Sequence, residues 1–501
     1  MRSKLGIASI LFFIATIFLK VSGLIRDMVI AFYFGDSYVA DAYLAAFIIP
    51  NMIILFFTTG MKNAFVPSYI DSLQQGREKQ HLNQIFKSSI FIGAILSLFG
   101  AAFAKLYIPL LFPQFNEGGQ EIAIYVTIIL FISVFFVGMN SVLEAFFDAE
   151  QKFSLSIISQ IIVVLSTISG ALLFAKQIGA YSLALGYLVG TILSLTFKCF
   201  LISRKKLLNL RINLDWGEIK QFYLIFIPVA LTVAIGQINL TVDNIFASYF
   251  ETGVVTYINY AKDLVHFPQA IFGVVIATVI FPSLSKAIAT EDHKGFKKGI
   301  ERGLTTMYLI LLPSIVGMMI LMPNLIELLY ERGQFSHEAT LATANVAYYY
   351  FGSVLFFSLH NVVTKGFYTL KKGHLILFIG SLSIGLNIIL NFALTKLIGY
   401  QGIPLASSIT AFLYVGGSFI VFMKLVEGFN MKHIMIELIK ITLAVLGMSG
   451  VIYVVNPLLE PLTNFGQIAL VGTLGAGVYL VITYLIGVKS LRFLLKNILR
   501  N

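Results

Sequence analysis

Charge is what this chain has least of. Only 12% of its 501 residues are Asp, Glu, Lys or Arg, whereas a soluble globular domain carries about 25%. Hydrophobic residues make up 58% and the mean hydropathy is +0.89. Such a chain cannot coat itself with water-compatible side chains, so lipid must cover much of it. The composition is that of an all-α polytopic membrane protein. Cysteine is nearly absent: Cys199 stands alone in an apolar run, which forbids an internal disulfide and any multi-Cys metal site. There is no G-x-x-x-x-G-K-[ST] phosphate loop, no H-E-x-x-H pair, and no soluble stretch large enough for a nucleotide-binding domain. These absences argue against an enzyme. Energy for transport would come from an ion gradient, from the substrate's own gradient, or from the membrane potential at about 2.3 kcal/mol per charge per 100 mV.

What charge there is lies in loops. The formal net charge of +11 would suggest nucleic acid in a soluble domain; here it reads as the basic excess of cytoplasmic loops, with no nucleic-acid partner. A span needs about 20 mainly apolar residues, and that ruler finds about fourteen, near 7–33, 39–66, 86–108, 121–147, 153–175, 179–203, 222–249, 254–284, 303–326, 340–368, 374–396, 402–426, 433–456 and 465–487. The apolar run after Arg2 and Lys4 is too long for a signal peptide and reads as the first span. Alternate connections carry the bases, including Arg77 and Lys79, Arg204 to Lys206, Lys294 to Arg302, and Lys489 to Arg500. That asymmetry puts both termini in the cytoplasm, as an even number of spans requires.

Two basic connections are longer than the rest. Residues 204–221 hold the only tryptophan, Trp216, among bases and leucines, and read as an amphipathic segment at the membrane surface. Residues 286–302 look similar, and either stretch is a membrane-surface linker or a contact for lipid headgroups. The first divides the chain into an N-lobe (1–203), the linker (204–221), a C-lobe (222–428) and a C-terminal pair of spans with a basic tail (429–501). An internal echo supports the division. Ala31 to Gly35 (A-F-Y-F-G) resembles Ala247 to Glu251 (A-S-Y-F-E), and each is followed by a tyrosine-bearing span interrupted by Pro50 or Pro268. Weak internal symmetry with broken helices in matching places marks a repeat-built transporter.

Ionisable residues inside spans are costly, roughly 2.5–3.5 kcal/mol each on the mildest scale, and usually face a polar pathway. The stretch from Lys20 to Pro67 concentrates them: Lys20, Arg26, Asp27 and Asp41. Lys20 and Asp27 are one heptad apart on a shared face. Arg offers a planar fork of donors matched to phosphate oxygens and Lys a point charge, so Lys20 and Arg26 suit a pyrophosphate headgroup. Equally, Lys20 with Asp27, or Arg26 with Asp41, could form helix-locking ion pairs. The eighth span carries Lys262, Asp263 and His266; the last could handle protons or simply be hydrogen-bonded. Asp243, Asn387, Asn391 and Thr410, from the seventh, eleventh and twelfth spans, offer the oxygen ligands a sodium ion takes, or interhelical hydrogen bonds of about 1 kcal/mol each. Glu144, His360 and Lys365 read as interfacial. Prolines 50, 228, 268, 282, 313 and 323 would bend or break spans around a cavity.

S-G-L-I-R-D (22–27), A-D-A-Y (40–43), F-I-I-P-N (47–51), A-F-V-P-S-Y (64–69), I-F-A-S-Y-F (245–250), F-G-V-V-I-A-T-V-I-F-P-S-L-S-K (272–286) and L-Y-E-R-G-Q-F (329–335) together resemble the MurJ/MviN lipid II flippases. These belong to the multidrug/oligosaccharidyl-lipid/polysaccharide exporter superfamily. The resemblance implies two six-helix lobes around a cationic cavity, with two extra C-terminal helices forming a lipid-tail groove. It implies a bacterial plasma-membrane protein that moves an undecaprenyl-pyrophosphate-linked saccharide to the outer leaflet by alternating access. Membrane lipids surround it and cell-wall synthesis proteins would be its partners. It also implies that Arg26, Asp41, Lys20 and the Lys262–Asp263 pair contact substrate, and that Asp243, Asn387, Asn391 and Thr410 hold Na⁺ as coupling ion. This chain departs from the family in places. Ile54 and Leu55 stand where many members have an arginine pair, Thr59 replaces a nearby acid, and Lys262-Asp263 replaces a D-R pair, moving the base by about 100° around the helix. The cavity is therefore expected to be less basic, which leaves room for another lipid-linked glycan (an exopolysaccharide or teichoic acid precursor) or for a cation-coupled multidrug exporter. A membrane scaffold would have no use for these charges.

Overall fold

Apolar runs of this length can satisfy their backbone groups in lipid only as helices, and helices are what form. The computed structural model describes residues 2–203, 207–209, 211, 213–235, 237–272, 284, 286–288, 290–370, 372–459 and 462–498; side chains at 2–16, 20, 232, 234–235 and 494–498 fall outside the description. The helices are α1 (Arg2–Phe34), α2 (Tyr38–Gln74), α3 (Glu78–Leu111), α4 (Glu117–Ala149), α5 (Phe153–Ile178), α6 (Tyr181–Ser203), α7 (Trp216–Ile235), α8 (Ile238–Ala247) and α9 (Val254–Val265). They continue with α10 (His293–Ile320), α11 (Met322–Tyr330), α12 (His337–Thr369), α13 (Gly373–Ile398), α14 (Gly402–Leu425), α15 (Met431–Val455), α16 (Asn464–Ile486) and α17 (Lys489–Ile498). No strand occurs among the described residues. Ten helical stretches among them are long and apolar enough to cross a membrane, with α13 and α14 counted as one continuous stretch.

Helix starts follow the local chemistry. Asn116 caps α4 by accepting the Gly119 N–H at 2.7 Å, Asp292 caps α10 through Gly295 at 2.8 Å, and Asn430 caps α15 through His433 at 3.1 Å. Gly487 ends α16 in the left-handed region at φ 71°. Prolines act in two ways. Pro50 and Pro67 lie inside a continuous α2, and Pro228 and Pro313 inside α7 and α10. By contrast the eighth span breaks at His266, two residues before Pro268. Leu321 parts α10 from α11, where Pro323 takes the first helical turn, the one place its missing N–H is harmless. Pro282 and most of the 272–286 motif lie outside the described residues. The seventh span, expected as one helix over 222–249, is divided between α7 and α8, with Gln237 as the N-cap of α8.

The chain forms two compact units. The first comprises Met1–Thr256 with Arg332–Ser336, the second Tyr257–Glu331 with His337–Asn501. In the first, α2 and α4 pack along each other and α7 packs on α2. The core there is aromatic: Phe57, Phe65, Phe222 and Phe226, with Phe56 edge-on to Phe226 at 5.0 Å between centroids. The described part of the 204–221 connection is not helical before Trp216. It is pinned to α3 instead: Asn83 Nδ2 donates to the Leu207 carbonyl at 2.8 Å, and Gln84 donates to Asn213 at 2.7 Å while accepting from Asp215 at 3.0 Å. Trp216, 71% exposed, then opens α7. The second unit has a separate core around Ile441, Met448 and Val471, fastened where Tyr479 donates its hydroxyl to the Leu309 carbonyl at 2.7 Å.

Two of the sequence motifs acquire a structural reason in the first unit. Gly35 ends α1 at φ +57°, and Gly333 of L-Y-E-R-G-Q-F sits at φ +64°. A Cβ on Gly35 would fall 2.2 Å from the Gln334 carbonyl oxygen, and one on Gly333 would fall 2.2 Å from that of Phe32. The Gln334 N–H donates to Phe32 at 3.1 Å across this approach. Only glycine allows both the backbone conformation and the contact.

Candidate functional site

The largest concentration of intramembrane charge among the described residues of the first unit is one that the sequence alone does not reveal. Glu144 on α4 is 6% exposed and Lys198 on α6 is completely buried; their Nζ–Oε1 distance is 2.8 Å. Lys62, on α2, lies 3.7 Å from Glu144 and 3.1 Å from Asp148. Gln160 Nε2 donates to Glu144 at 3.1 Å and Ser156 donates to Asp148 at 2.7 Å. The four charges balance, and their remaining lone pairs are satisfied by amides and hydroxyls, as buried ions require. Glu144 was expected to be interfacial; packing of α2, α4 and α6 makes it the centre of an ion network instead.

A cavity of about 380 Å³ opens beside this network, within the range of small-molecule pockets. Lys62, Glu144 and Asn140 supply its charge and amide, Thr58, Thr59 and Thr191 its hydroxyls, and Leu55 and Val137 its apolar wall. Lys62 is 31% exposed where Lys198 is not, so Lys62 is the base that a ligand could meet. Leu55 and Thr59 carry no charge, but Lys62 stands one heptad beyond Leu55 on the same face of α2.

Arg26 approaches this cavity through aromatic rings. Its guanidinium lies 5.9 Å from the Phe47 centroid, and Phe47 packs edge-on against Tyr187, a cavity residue, at 6.0 Å. Arg26 forms its ion pair with the adjacent Asp27 at 2.7 Å rather than with Asp41, while keeping 30% exposure. Its Nε and Nη2 both donate to Asp27 Oδ1, at 3.0 and 2.7 Å. Lys20 lies in α1, and its side chain is outside the description; its neighbour Leu19 lines the cavity.

Asp41 sits apart and is almost wholly buried, at 3% exposure. Its Oδ2 accepts the Gly253 N–H at 2.6 Å; its Oδ1 accepts the Thr256 N–H at 2.8 Å and the Thr256 hydroxyl at 2.6 Å. The carboxylate therefore caps the N-terminus of α9, satisfying donors that would otherwise be orphaned. This geometry makes Asp41 a clasp on the backbone.

The expected sodium ligands divide between the units. Asp243, in the first, is 1% exposed, and Asn239 one turn before it on α8 has a buried Oδ1 with no hydrogen-bond partner. Asn387, Asn391 and Thr410, in the second, are all buried; Asn391 Nδ2 donates to Asn387 Oδ1 at 3.1 Å, and Thr410 Oγ1 is buried without a partner. Also in the second unit, Lys262 is half-buried and Asp263 exposed. His266 is hydrogen-bonded at both ring nitrogens, Nδ1 to Gln269 at 2.8 Å and Nε2 to Ser353 at 3.4 Å. His360 lies against Tyr414, 4.2 Å between ring centroids.

Helical packing of this kind recurs in solved carriers. A structure described as an inward-facing multidrug resistance MATE family transporter of the MOP superfamily superposes with a TM-score of 0.71 over 82% of this chain and 94% of that one, at 13% identity, a likeness of fold alone. A structure described as lipid II flippase MurJ in an inward closed conformation matches with a TM-score of 0.79 and 26% identity over 95% of this chain and 98% of that one. Fold, long apolar helices and buried charge thus define a multi-pass bacterial membrane protein of the transporter class. The sequence profile of the family described as Lipid II flippase MurJ matches residues 30–472, and the chain belongs to that family. Among its relatives, the probable lipid II flippase MurJ of Aquifex aeolicus (strain VF5) is 28% identical over 81% of this chain and 82% of its own. That of Thermotoga maritima is 25% identical over 97% of this chain and 98% of its own.

Proposed function

We propose that this chain is a lipid II flippase, carrying the undecaprenyl-pyrophosphate-linked peptidoglycan precursor from the inner to the outer leaflet by alternating access. The observation that carries the reading is family membership across residues 30–472. The geometry supports it with a cationic group, Lys62, exposed to a polar cavity and Arg26 one aromatic layer away. Such groups suit a pyrophosphate, Lys as a point charge and Arg as a fork of donors. Lys20, Arg26, Lys262 and Asp263 are assigned to substrate contact, and Asp41 to holding α9 in place.

Several finer features belong to the same proposal. Both termini face the cytoplasm, following the basic loops. Residues 1–203 and 222–428 act as the two lobes, joined by 204–221, with 429–501 appended. Sodium is the coupling ion, held by Asp243, Asn387, Asn391 and Thr410, whose carboxylate, amide and hydroxyl oxygens are the donors a hard cation takes. Cell-wall synthesis proteins are its partners. A second reading keeps the class and changes the glycan, and Leu55 and Thr59 favour it, since both line the cavity without charge.

The test is rescue of a flippase-depleted strain, with identification of the lipid-linked precursor that accumulates. Accumulated lipid II, cleared on expression of this chain, is the expected result. Another glycan in its place would select the second reading. Arg26→Ala together with Lys20→Ala should abolish rescue; intact rescue would sink the phosphate clamp.

A further inference from the structure

A second cavity, of about 770 Å³, lies wholly in the second unit, among the first turns of α10, α15 and α17. Four bases of α10 line it, Lys294, Lys297, Lys298 and Arg302, together with Lys489 at the start of α17. Lys294, Lys298 and Arg302 follow one another at i, i+4, so they share one stripe of the helix. Against these five bases stand only Glu301 and Glu427. The Glu301 carboxylate is already engaged, accepting the Asn430 N–H at 3.0 Å. From Glu427 it is the backbone carbonyl that meets Lys297 Nζ, at 3.3 Å. Among the described residues none of the five bases forms an ion pair.

The cavity has further features of a built site. The Arg302 guanidinium rests 4.6 Å from the Phe493 ring centroid, which fixes its plane and leaves its edge donors for a ligand. His433, also on the wall, has a buried Nδ1 with no hydrogen-bond partner. Phe429 and Phe493 add apolar surface beside the cationic stripe. The bases are exposed, apart from the half-buried Lys297, and line one open cavity at the end of a helix long and apolar enough to span a membrane. Basic pockets of this kind between spanning helices bind phosphate-bearing headgroups.

We propose that this cavity binds the phosphate of an anionic phospholipid headgroup from the leaflet that the basic loops face. The shared chemistry is a phosphate oxygen cluster met by Lys298, Arg302 and Lys489; the paired aromatic surface and the adjoining span assign it to a lipid rather than to a free ion. The site is separate from the ion network at Glu144 and does not depend on which glycan is carried.

The full chain, purified and delipidated in detergent, tests this by native mass spectrometry and thermal melting. The probes are dioleoyl phosphatidylglycerol, dioleoyl phosphatidylcholine and inorganic phosphate. Phosphatidylglycerol should stay bound and raise the melting temperature, and phosphatidylcholine should not. Lys298→Gln with Arg302→Gln should weaken phosphatidylglycerol binding by roughly tenfold or more, since each base near a charged membrane contributes on the order of fivefold. Should that double variant misfold, the exposed Lys294→Gln on the same stripe is read in its place, with about a fivefold loss expected. Phosphatidylglycerol binding unchanged in these variants would overturn the site. Stabilisation by inorganic phosphate equal to that by the lipid would overturn the lipid as its source.

Discussion

Asp41, Glu144 and Lys198, buried in the first unit, hold their places through specific partners, and the partners differ in what they predict. Glu144 is met by Lys198 and Lys62, so removing Lys198 leaves a carboxylate short of its closest cation. Lys198→Met should lower stability by roughly 3–5 kcal/mol, the cost of breaking a buried pair from one side, read as a drop in melting temperature of the purified protein. Lys62→Gln should behave differently. Glu144 keeps Lys198, while Asp148 loses its ion pair and keeps Ser156 at a partly exposed site, so the variant should melt below wild type but above Lys198→Met, and should fail to rescue transport. A Lys62→Gln protein that transports normally would remove the cavity from the substrate path. Asp41 belongs to a third kind. Asp41→Ala removes three hydrogen bonds at once and Thr256→Val only one, so the first should melt well below the second. Each such bond to a charged group is worth about 1.5–3 kcal/mol.

This is also where the sequence was least legible. Arg26 and Asp41 stood out as charges within apolar sequence that the family resemblance singled out; Arg26 pairs with Asp27 and Asp41 accepts hydrogen bonds from Gly253 and Thr256. Lys62, Glu144 and Lys198 carry the same signal in principle. They sit on three separate helices, however, and only packing makes them neighbours. Arg26 pairs with the residue beside it, a choice the helical face argument did not anticipate.

At the scale of the element, backbone approach decides more than propensity. In the first unit α5 and α6 meet through glycines: a Cβ on Gly186 would fall 2.7 Å from the Ser166 carbonyl oxygen, and one on Gly190 would fall 2.8 Å from the Val163 Cα. Small residues four apart are how membrane helices pack without a hydrophobic driving force. Gly186→Val should therefore part the two helices and abolish accumulation of folded protein, measured by size-exclusion profile of the detergent-solubilised chain. A similar change at Gly385, where nothing lies within 4 Å, is the control that should fold. Helix positions were legible from apolar length alone. The break between α7 and α8 was not, because no proline marks it; its trace is the density of Gln237, Asn239, Asp243 and Asn244, polar groups that a broken helix can serve.

For the whole molecule, composition carried the class, and the family follows from the match over residues 30–472. Topology is the expectation that rests on loop charge alone. Single cysteines placed at residues 78 and 372, in a Cys199→Ser background, should be labelled by a membrane-impermeant thiol reagent only after the cells are opened. Labelling of intact cells would reverse the orientation. Sodium coupling adds its own test: Asp243→Asn should abolish any dependence of transport on sodium, and a dependence that persists would remove that residue from the ion site.

The most direct measurement is of transport itself. The purified chain is reconstituted into sealed vesicles with lipid II in the bilayer, and the fraction of headgroups reached by an impermeant modifying enzyme added outside is followed in time. The wild-type chain should carry the protected fraction across, while Lys62→Gln and Arg26→Ala, reconstituted as folded protein in equal amount, should leave it protected. Equal protection with and without the wild-type chain, or crossing undiminished in both variants, would contradict the account.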